Sequence, residues 1–510
     1  METTRLTQGT KRRYSGEQTG RSNYRSDDGN IEGSAPVGAS SACPQRTPRT
    51  RDEGIAALSY DAKDHDEAYF KDIYTTEPNF ARLGQEYPEF GSLLKDGVHL
   101  DFTNPAAVMA LTKTLLKSDF GLEINLPSNR LCPPVPNRHN YILWLKDLLD
   151  STSSSYTELY EAERKVMGLD IGTGASLIYP LLGCAQRLGW RFIATDIDAE
   201  TLASARANAR LNGLESRIRI VERGGSGEAL IPLDELGIEN IDFVMVNPPF
   251  YGSERELLDL ARQKSQPPHS ACTGAPVEMV CEGGEVKFVG RMIDESLSLG
   301  VRVQWYTAML GKLSSLEALV EVLKRHNINN FAVTTFVQGS KTRRWGLAWS
   351  FISRRSSLEA SRGLLGSNIA KKYLPPITAV TIYKNASQAP GLIQPLKTML
   401  ESLDLRQWAW DEKRLRGVGF SEGNVWSRAY RRKRAGVRAD EGTVKKPETS
   451  VPSPDVSRCA FGFSVSMLPE SPDKPTAILL HWLQGDDELL FESFTGLIRR
   501  CLRKDAVDSS

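Results

Sequence analysis

The chain has 510 residues, enough for one large catalytic domain with a smaller one attached. It is 40% hydrophobic and 25% charged, and no apolar run approaches the length of a membrane span. The formal net charge is only +1, so any nucleic-acid surface must come from local clusters of Lys and Arg. The seven cysteines are scattered and never spaced Cys-x-x-Cys, which disfavours both a disulfide framework and a zinc site, and no metal is expected. The opening residues are polar and predict no secretory signal.

Residues 1–54, rich in Ser, Thr, Gly, Arg and Asp, predict a disordered basic tail with Lys11-Arg12-Arg13 as its densest cluster. Residues 66–160 predict a helical extension. Within it, a helix over Asn104–Lys117 opens on an Asn cap and Pro105, with Val108, Leu111, Leu115 and Leu116 at helical spacing. A proline-punctuated segment, Leu131–Arg138, then leads into a short helix at Tyr141–Leu149.

Between residues 161 and 353 strands alternate with helices, as in a parallel α/β sheet. The strands are Val166–Ile171, Phe192–Ile197, Ile218–Glu222 and Phe243–Val246, with helices Ser176–Leu188 and Glu200–Leu211 between them. Strand Val303–Leu310, helix Leu313–His326 and a hairpin of Phe331–Gln338 with Trp345–Ile352 follow. A terminal hairpin of this kind is expected of a methyltransferase sheet and not of a plain dinucleotide-binding one.

Residues 354–374 read as a linker. Residues 375–505 predict a small α/β domain, with strand Ile377–Tyr383, helix Leu392–Leu403, a Trp- and Arg-rich stretch at 408–434 and a disordered insertion at 436–457. It closes with strands Cys459–Met467 and Ala477–Leu483 and helix Glu488–Leu502.

Three blocks carry chemistry. Leu169-Asp170-Ile171-Gly172-Thr173-Gly174 ends a buried strand, and Gly172 and Gly174 let a ligand approach the backbone closely. Leu177 stands where a dinucleotide fingerprint needs its third glycine. Asp196, at the end of the next strand, can accept bonds from two ribose hydroxyls, while Asp198 suits a helix cap. Asn247-Pro248-Pro249-Phe250 follows a third buried strand. The Asn247 side-chain oxygen and the Pro248 carbonyl can each accept one N–H of an exocyclic amine. Pro248 and Pro249 stiffen the turn, and Phe250 can stack on a base.

With their flanks, these blocks resemble the methyltransferase-like 16 family of RNA adenosine-N6 methyltransferases, which includes the U6 small nuclear RNA enzymes. The flanks are Val135-Pro136-x-Arg138-x-Asn140-Tyr141, Glu282-Gly283-Gly284-Glu285, Trp305-Tyr306, Met309-Leu310-Gly311-Lys312 and Arg344-Trp345. The resemblance implies a class I S-adenosylmethionine-dependent fold with a seven-stranded Rossmann-like sheet, an N-terminal helical RNA-binding extension and a C-terminal RNA-binding domain. It implies cofactor contacts at Arg138, Gly172, Asp196 and Asn247, with Asp196 standing where the family carries Glu, and leaves Ser226 as a guess for the loop at 223–228. It places Lys341, Arg343 and Arg344, with Trp345 beside them, at an RNA-binding rim.

The implied function is N6 methylation of adenosine in RNA, with U6 as first choice. A ribosomal RNA adenine-N6 enzyme and an RNA-binding regulator with slow turnover are the alternatives. The stretch 252–281 reads as a loop closing on substrate or as an inert insertion, and the run Arg428–Arg434 as a nuclear signal, an RNA contact or both. RNA is the expected partner and no membrane is expected. The nucleus is the expected location, with the cytoplasm second.

Overall fold

The computed structural model describes residues 65–224, 227–253, 255, 276–338, 342–364, 369–384, 389–440, 455–468 and 477–507. The tail at 1–54, Ser226, Lys341 and most of the 252–281 and 436–457 stretches lie outside the described residues.

Short helices open the described chain: α1 (Glu67–Asp72), α2 (Phe80–Glu86) and α3 (Pro88–Gly91). Strands β1 (Leu94–Lys95) and β2 (His99–Leu100) then pair as a small ribbon. Helix α4 (Pro105–Phe120) begins as its sequence predicts, the Asn104 side chain accepting from the Ala106 N–H. It runs three residues beyond the expected end because Gly121, at φ 64°, supplies the left-handed residue that closes a helix. Helix α5 (Val135–Ser151) starts six residues before the expected Tyr141, since Pro136 sits in a first turn that needs no proline N–H.

The main sheet is built from β3 (Val166–Ile171), α6 (Ile178–Gln186), β4 (Trp190–Asp196), α7 (Ala199–Leu211), β5 (Ile218–Glu222) and β6 (Ile241–Val246). After α8 (Pro276–Met279) come α9 (Gly284–Leu299), β7 (Val303–Leu310), α10 (Leu313–Arg325), β8 (Phe331–Gln338) and β9 (Thr342–Trp349). The order is β10-β8-β9-β7-β6-β3-β4-β5, with β9 antiparallel to both neighbours. The eighth strand, β10 (Arg362–Gly363), corrects the expected seven. It pairs with Val333 and Thr334, and the close Thr334 side chain leaves no room for a Cβ at Gly363.

Helix α9 has no counterpart among the elements expected from the sequence, because the paired glycines at its start mask a helical repeat of Val289, Met292, Ile293 and Ser296, all buried. Helix α6 begins at Ile178 instead of Ser176, since Gly172, Gly174 and Leu177 all adopt positive φ and carry the chain around before it can coil. One core fills the face covered by α4, α5 and α6; a second fills the face covered by α9 and α10.

The stretch 354–374 is not a free linker. Arg355 is 1% exposed, and its guanidinium bonds to Gly485 O at 2.7 Å and Asn329 O at 3.1 Å, pairs with Asp486 at 3.1 Å and lies 4.4 Å from the Trp482 ring centre. A buried guanidinium demands such partners, and so it welds the segment in place. Helix α11 (Leu358–Ser361) adds a bond from Trp144 Nε1 to Ala360 O.

The remaining chain forms β11 (Ala379–Lys384), α12 (Ala389–Glu401), β12 (Gln407–Asp411), β13 (Arg416–Ser421), α13 (Arg428–Asp440), β14 (Phe461–Leu468), β15 (Ala477–Gln484) and α14 (Glu488–Val507). Its sheet is antiparallel throughout, in the order β11-β15-β14-β13-β12. The Trp- and Arg-rich stretch thus holds a hairpin and a helix, and α13 runs past the expected start of the insertion at 436. Glycines hide the strand: a Cβ at Gly417 would overlap the Trp408 ring and one at Gly419 the Phe463 ring. The half-buried Glu158 carboxylate pairs with Arg416 and His481 and accepts from Ser464 Oγ at 3.3 Å, docking this domain beside the main sheet.

Candidate active site

The carboxyl ends of β6, β3 and β4 are neighbours in the sheet, which is where an open α/β sheet binds ligand. After β3, Gly172 and Gly174 take φ of 69° and 67° and face open space. Such conformations favour glycine. The Gly172 and Thr173 amides both donate to Thr195 O at 2.9 Å, so the loop is stitched to β4. Asp196 extends the stitching. Its Oδ2 accepts from Gly174 N at 3.0 Å, and Oδ1 from Ile197 N at 2.8 Å and Asp198 N at 3.2 Å. Burial raises its pKa and those amide bonds oppose the rise. Asp198 caps α7 through Glu200 N, as its position predicts.

These elements floor a cleft of about 1120 Å³, mouth included, lined also by Arg138, Tyr179, Asn247 and Pro249. Its roof is the proline segment, with Leu131 and Pro133 facing in. Arg130 ties that segment to Asp198 at 2.6 Å and Glu200 at 2.7 Å, and the Leu131 amide donates to Glu278 at 3.0 Å.

Two ionisable side chains lie within electrostatic reach of each other here, Arg138 in the cleft lining and Asp170 just behind it. Arg138, buried in the first turn of α5, has its Nη1 3.2 Å from the Met309 sulfur and its guanidinium 5.6 Å from the Tyr179 ring centre. Among the described residues no carboxylate pairs with it. Asp170 is fully buried, and its Oδ2 accepts from Thr173 Oγ1 at 2.7 Å while Oδ1 has no partner. Burial, above all, pushes its pKa up to about 7.

Asn247 follows β6 directly, and its buried Oδ1 also has no partner. Leaving a buried acceptor unpaired costs about 1–3 kcal/mol, so the position is kept for a donor that arrives from outside. The backbone behind it is fixed: Tyr251 N donates to Met279 O at 3.1 Å and Cys281 N to Tyr251 O at 3.0 Å. Pro248 and Phe250 do not line the cleft. Phe250 sits beside it against Gly311, with the Arg344 guanidinium 5.2 Å from its ring centre.

The expected rim divides. Arg343 and Arg344 are strand residues of β9 opposite Val337 and Phe336, not residues of a hairpin link. Alternation along the strand sends Arg344 to one face and Arg343 and Trp345 to the other. Arg344 alone of these reaches Phe250, whereas Trp345 packs against the second core with its indole N–H buried and unpartnered. Tyr179 and Glu278 line the cleft and Asp170 and Met309 lie just behind it, and no sequence motif assigns any of the four a role. For Asp170 a signal existed, an acid inside the apolar run Leu169-Asp170-Ile171.

A nucleoside-sized cleft opening onto an unpartnered amide acceptor, at this edge of this sheet, defines a class I methyltransferase. The chain belongs to the RNA methyltransferase family, whose model matches residues 64–353. It is 36% identical over 412 residues to the U6 small nuclear RNA (adenine-(43)-N(6))-methyltransferase of Schizosaccharomyces pombe, covering 80% of this chain and 96% of that protein. To the RNA N(6)-adenosine-methyltransferase mettl16 of Danio rerio it is 33% identical over 463 residues, covering 83% and 95%. Among solved structures it is similar to the N-terminal domain of human METTL16 in complex with SAH. That match is 38% identical with a TM-score of 0.45 and covers 56% of this chain and 98% of the other.

Proposed function

We propose that the protein methylates N6 of an unpaired adenine in a structured small nuclear RNA of the U6 type, with S-adenosylmethionine as donor. The observation that carries methylation of an amine is the buried, unpartnered Oδ1 of Asn247 at the edge of the cleft, and the U6-type substrate is supported by the 36% identity to the Schizosaccharomyces pombe enzyme. The cleft fits the donor residue by residue. Arg138 and Asp170 would hold the carboxylate and ammonium of its amino-acid end, Asp196 the ribose hydroxyls, and Gly172 and Gly174 allow close backbone approach. When bound, the donor supplies an electrophilic methyl group.

The chain's own residues do the rest. Asn247 Oδ1 and the Pro248 carbonyl accept the two N–H bonds of the amine, which orients its lone pair and favours a pyramidal nitrogen. Phe250 stacks on the base, held there by the rigid Pro248-Pro249 turn. Transfer makes the nitrogen acidic, so the proton can leave afterwards without a strong general base. An adenine already unpaired avoids much of the cost of leaving a stack. Arg344, next to Phe250, would take a flanking phosphate. A nuclear location belongs to the same proposal and is supported by Arg431, Arg432 and Lys433, exposed on α13.

The decisive experiment offers labelled donor with U6 transcript, the same transcript lacking its target adenine, a ribosomal fragment and single-stranded DNA. Label is expected in U6 alone. Equal rates on the ribosomal fragment or DNA, or label persisting in the mutated transcript, would defeat the substrate assignment.

Asp170 yields a pH prediction. In the ligand-free protein the raised pKa favours the neutral acid, so this group costs stability as pH climbs from its ordinary 3.8 to about 7. An ammonium partner needs the carboxylate. Donor affinity is therefore expected to rise by up to about tenfold per pH unit below pH ~7 and to level off above it. Calorimetric titration between acid and neutral pH reads this directly, and Asp170→Asn should flatten the profile. A flat profile in the unaltered protein would remove Asp170 from the site.

A further inference from the structure

Glu285 and Gly311 belong to the blocks Glu282-Gly283-Gly284-Glu285 and Met309-Leu310-Gly311-Lys312, and neither lines the donor cleft. Glu285 is 2% exposed, in the first turn of α9. Its Oε2 accepts from the Gly311 amide at 2.6 Å and its Oε1 from the Lys312 amide at 3.1 Å. Those two residues follow β7, next to the end of β6 that leads to Asn247. A buried carboxylate taking two successive backbone amides fixes that turn firmly.

Gly311 then meets the platform itself. A Cβ there would lie 3.0 Å from Phe250 Cδ1 and 3.3 Å from Glu285 Oε2, tight enough that the ring or the carboxylate must give by a few tenths of an ångström. Its backbone is not in the left-handed region, so the requirement for glycine is one of space. On the other side of the same segment, a Cβ at Gly284 would lie 3.4 Å from Gly252 N and 3.5 Å from Phe250 O. Gly284 and Glu285 thus place the start of α9 beside the Phe250–Gly252 segment and the Gly311 turn, and the Arg344 guanidinium lies over the Phe250 ring.

We propose that Glu285 and Gly311 are positioning residues for methyl transfer. Glu285 pins the Gly311 backbone, and the missing side chain of Gly311 sets where the Phe250 ring rests, and with it the base. The proposal depends on Phe250 being the base platform. Neither residue lines the donor cleft, so disturbing them acts on the base and not on the donor.

The test is Gly311→Ala in the full-length protein, with Glu285→Gln as a second variant that keeps one acceptor but turns an amide NH₂ toward the other backbone N–H. Donor binding, measured by calorimetry, is expected to stay within about twofold, which also shows that each variant is folded. A ring displaced by a few tenths of an ångström is expected to lower kcat by about 3- to 10-fold with little change in KM for RNA. Fluorescence supplies a readout that a purely structural role would leave unmoved. With 2-aminopurine in place of the target adenine, the unaltered protein should quench the probe on stacking and Gly311→Ala should quench it less. Full quenching and full kcat in Gly311→Ala would overturn the proposal while leaving the methyltransferase reading intact. No quenching by the unaltered protein would overturn the platform assignment, and this proposal with it. Loss of donor binding in both variants would also overturn it, since the role would then be general scaffolding.

Discussion

Asn247→Ala is expected to lower turnover by roughly 10²- to 10³-fold, the scale found when a single preorganised hydrogen-bond partner of the reacting centre is removed. The amide oxygen is already buried and already without a partner, so the protein has met its desolvation cost before substrate arrives. An arriving N–H therefore recovers most of the strength of that bond, and does so at the nitrogen that reacts. Truncation leaves β6, the proline turn and Phe250 in place, because none of their described bonds runs through that oxygen. RNA affinity should persist, and donor affinity should fall only slightly, since Asn247 is one of many groups lining the cleft. Single-turnover kinetics with saturating donor is the measurement. More than about a tenth of the unaltered rate would mean that another group orients the amine.

The legible parts of this fold are those where local chemistry and tertiary role coincide. Buried parallel strands such as Phe243–Val246, and Val166–Ile171 apart from Asp170, are apolar because both faces are covered, and a sequence shows that directly. Asn104-Pro105 announces α4 by a cap that operates within one turn. The elements that were missed have glycine where a repeat should be apolar. Gly417 makes room for Trp408 and Gly419 for Phe463, partners that lie on other strands, while Gly283 and Gly284 both take positive φ where the chain turns into α9. Arg355 shows the converse, since its charge marked the segment as solvated, whereas its partners come from residues 329, 485 and 486.

The site divides in the same way. Gly172, Gly174, Asp196 and Asn247 were legible because each stands at a strand end and performs a task its residue type alone suggests. Arg138 entered through resemblance, since nothing in its neighbours along the chain marks a buried cation. Arg343, Arg344 and Trp345 read as one basic cluster because they are consecutive. A strand separates consecutive residues onto opposite faces, and only pairing with Phe336 and Val337 shows that a strand is present. Glu285 was visible as part of a block, but its function depends on amides 26 and 27 residues away in sequence.

Asp196→Ala is expected to weaken donor binding by about 10- to 100-fold, the loss of one or two charge-assisted hydrogen bonds to a diol. Its carboxylate accepts three backbone amides, from Gly174, Ile197 and Asp198, and each oxygen still has lone-pair capacity toward the cleft. The alanine variant therefore loses direct ligand contact and slackens the glycine loop together. RNA affinity measured without donor should barely move, because none of these bonds reaches Phe250 or Arg344. Asp198→Ala separates the two acids. It removes the α7 cap and one of the two carboxylates on Arg130, a stability cost of roughly 1 kcal/mol typical of a lost cap. Its effect on donor affinity should be much smaller than that of Asp196→Ala. Should the donor titration of Asp196→Ala match the unaltered protein while Asp198→Ala binds donor poorly, the ribose contact belongs to Asp198 and the bonds made by Asp196 serve only the loop.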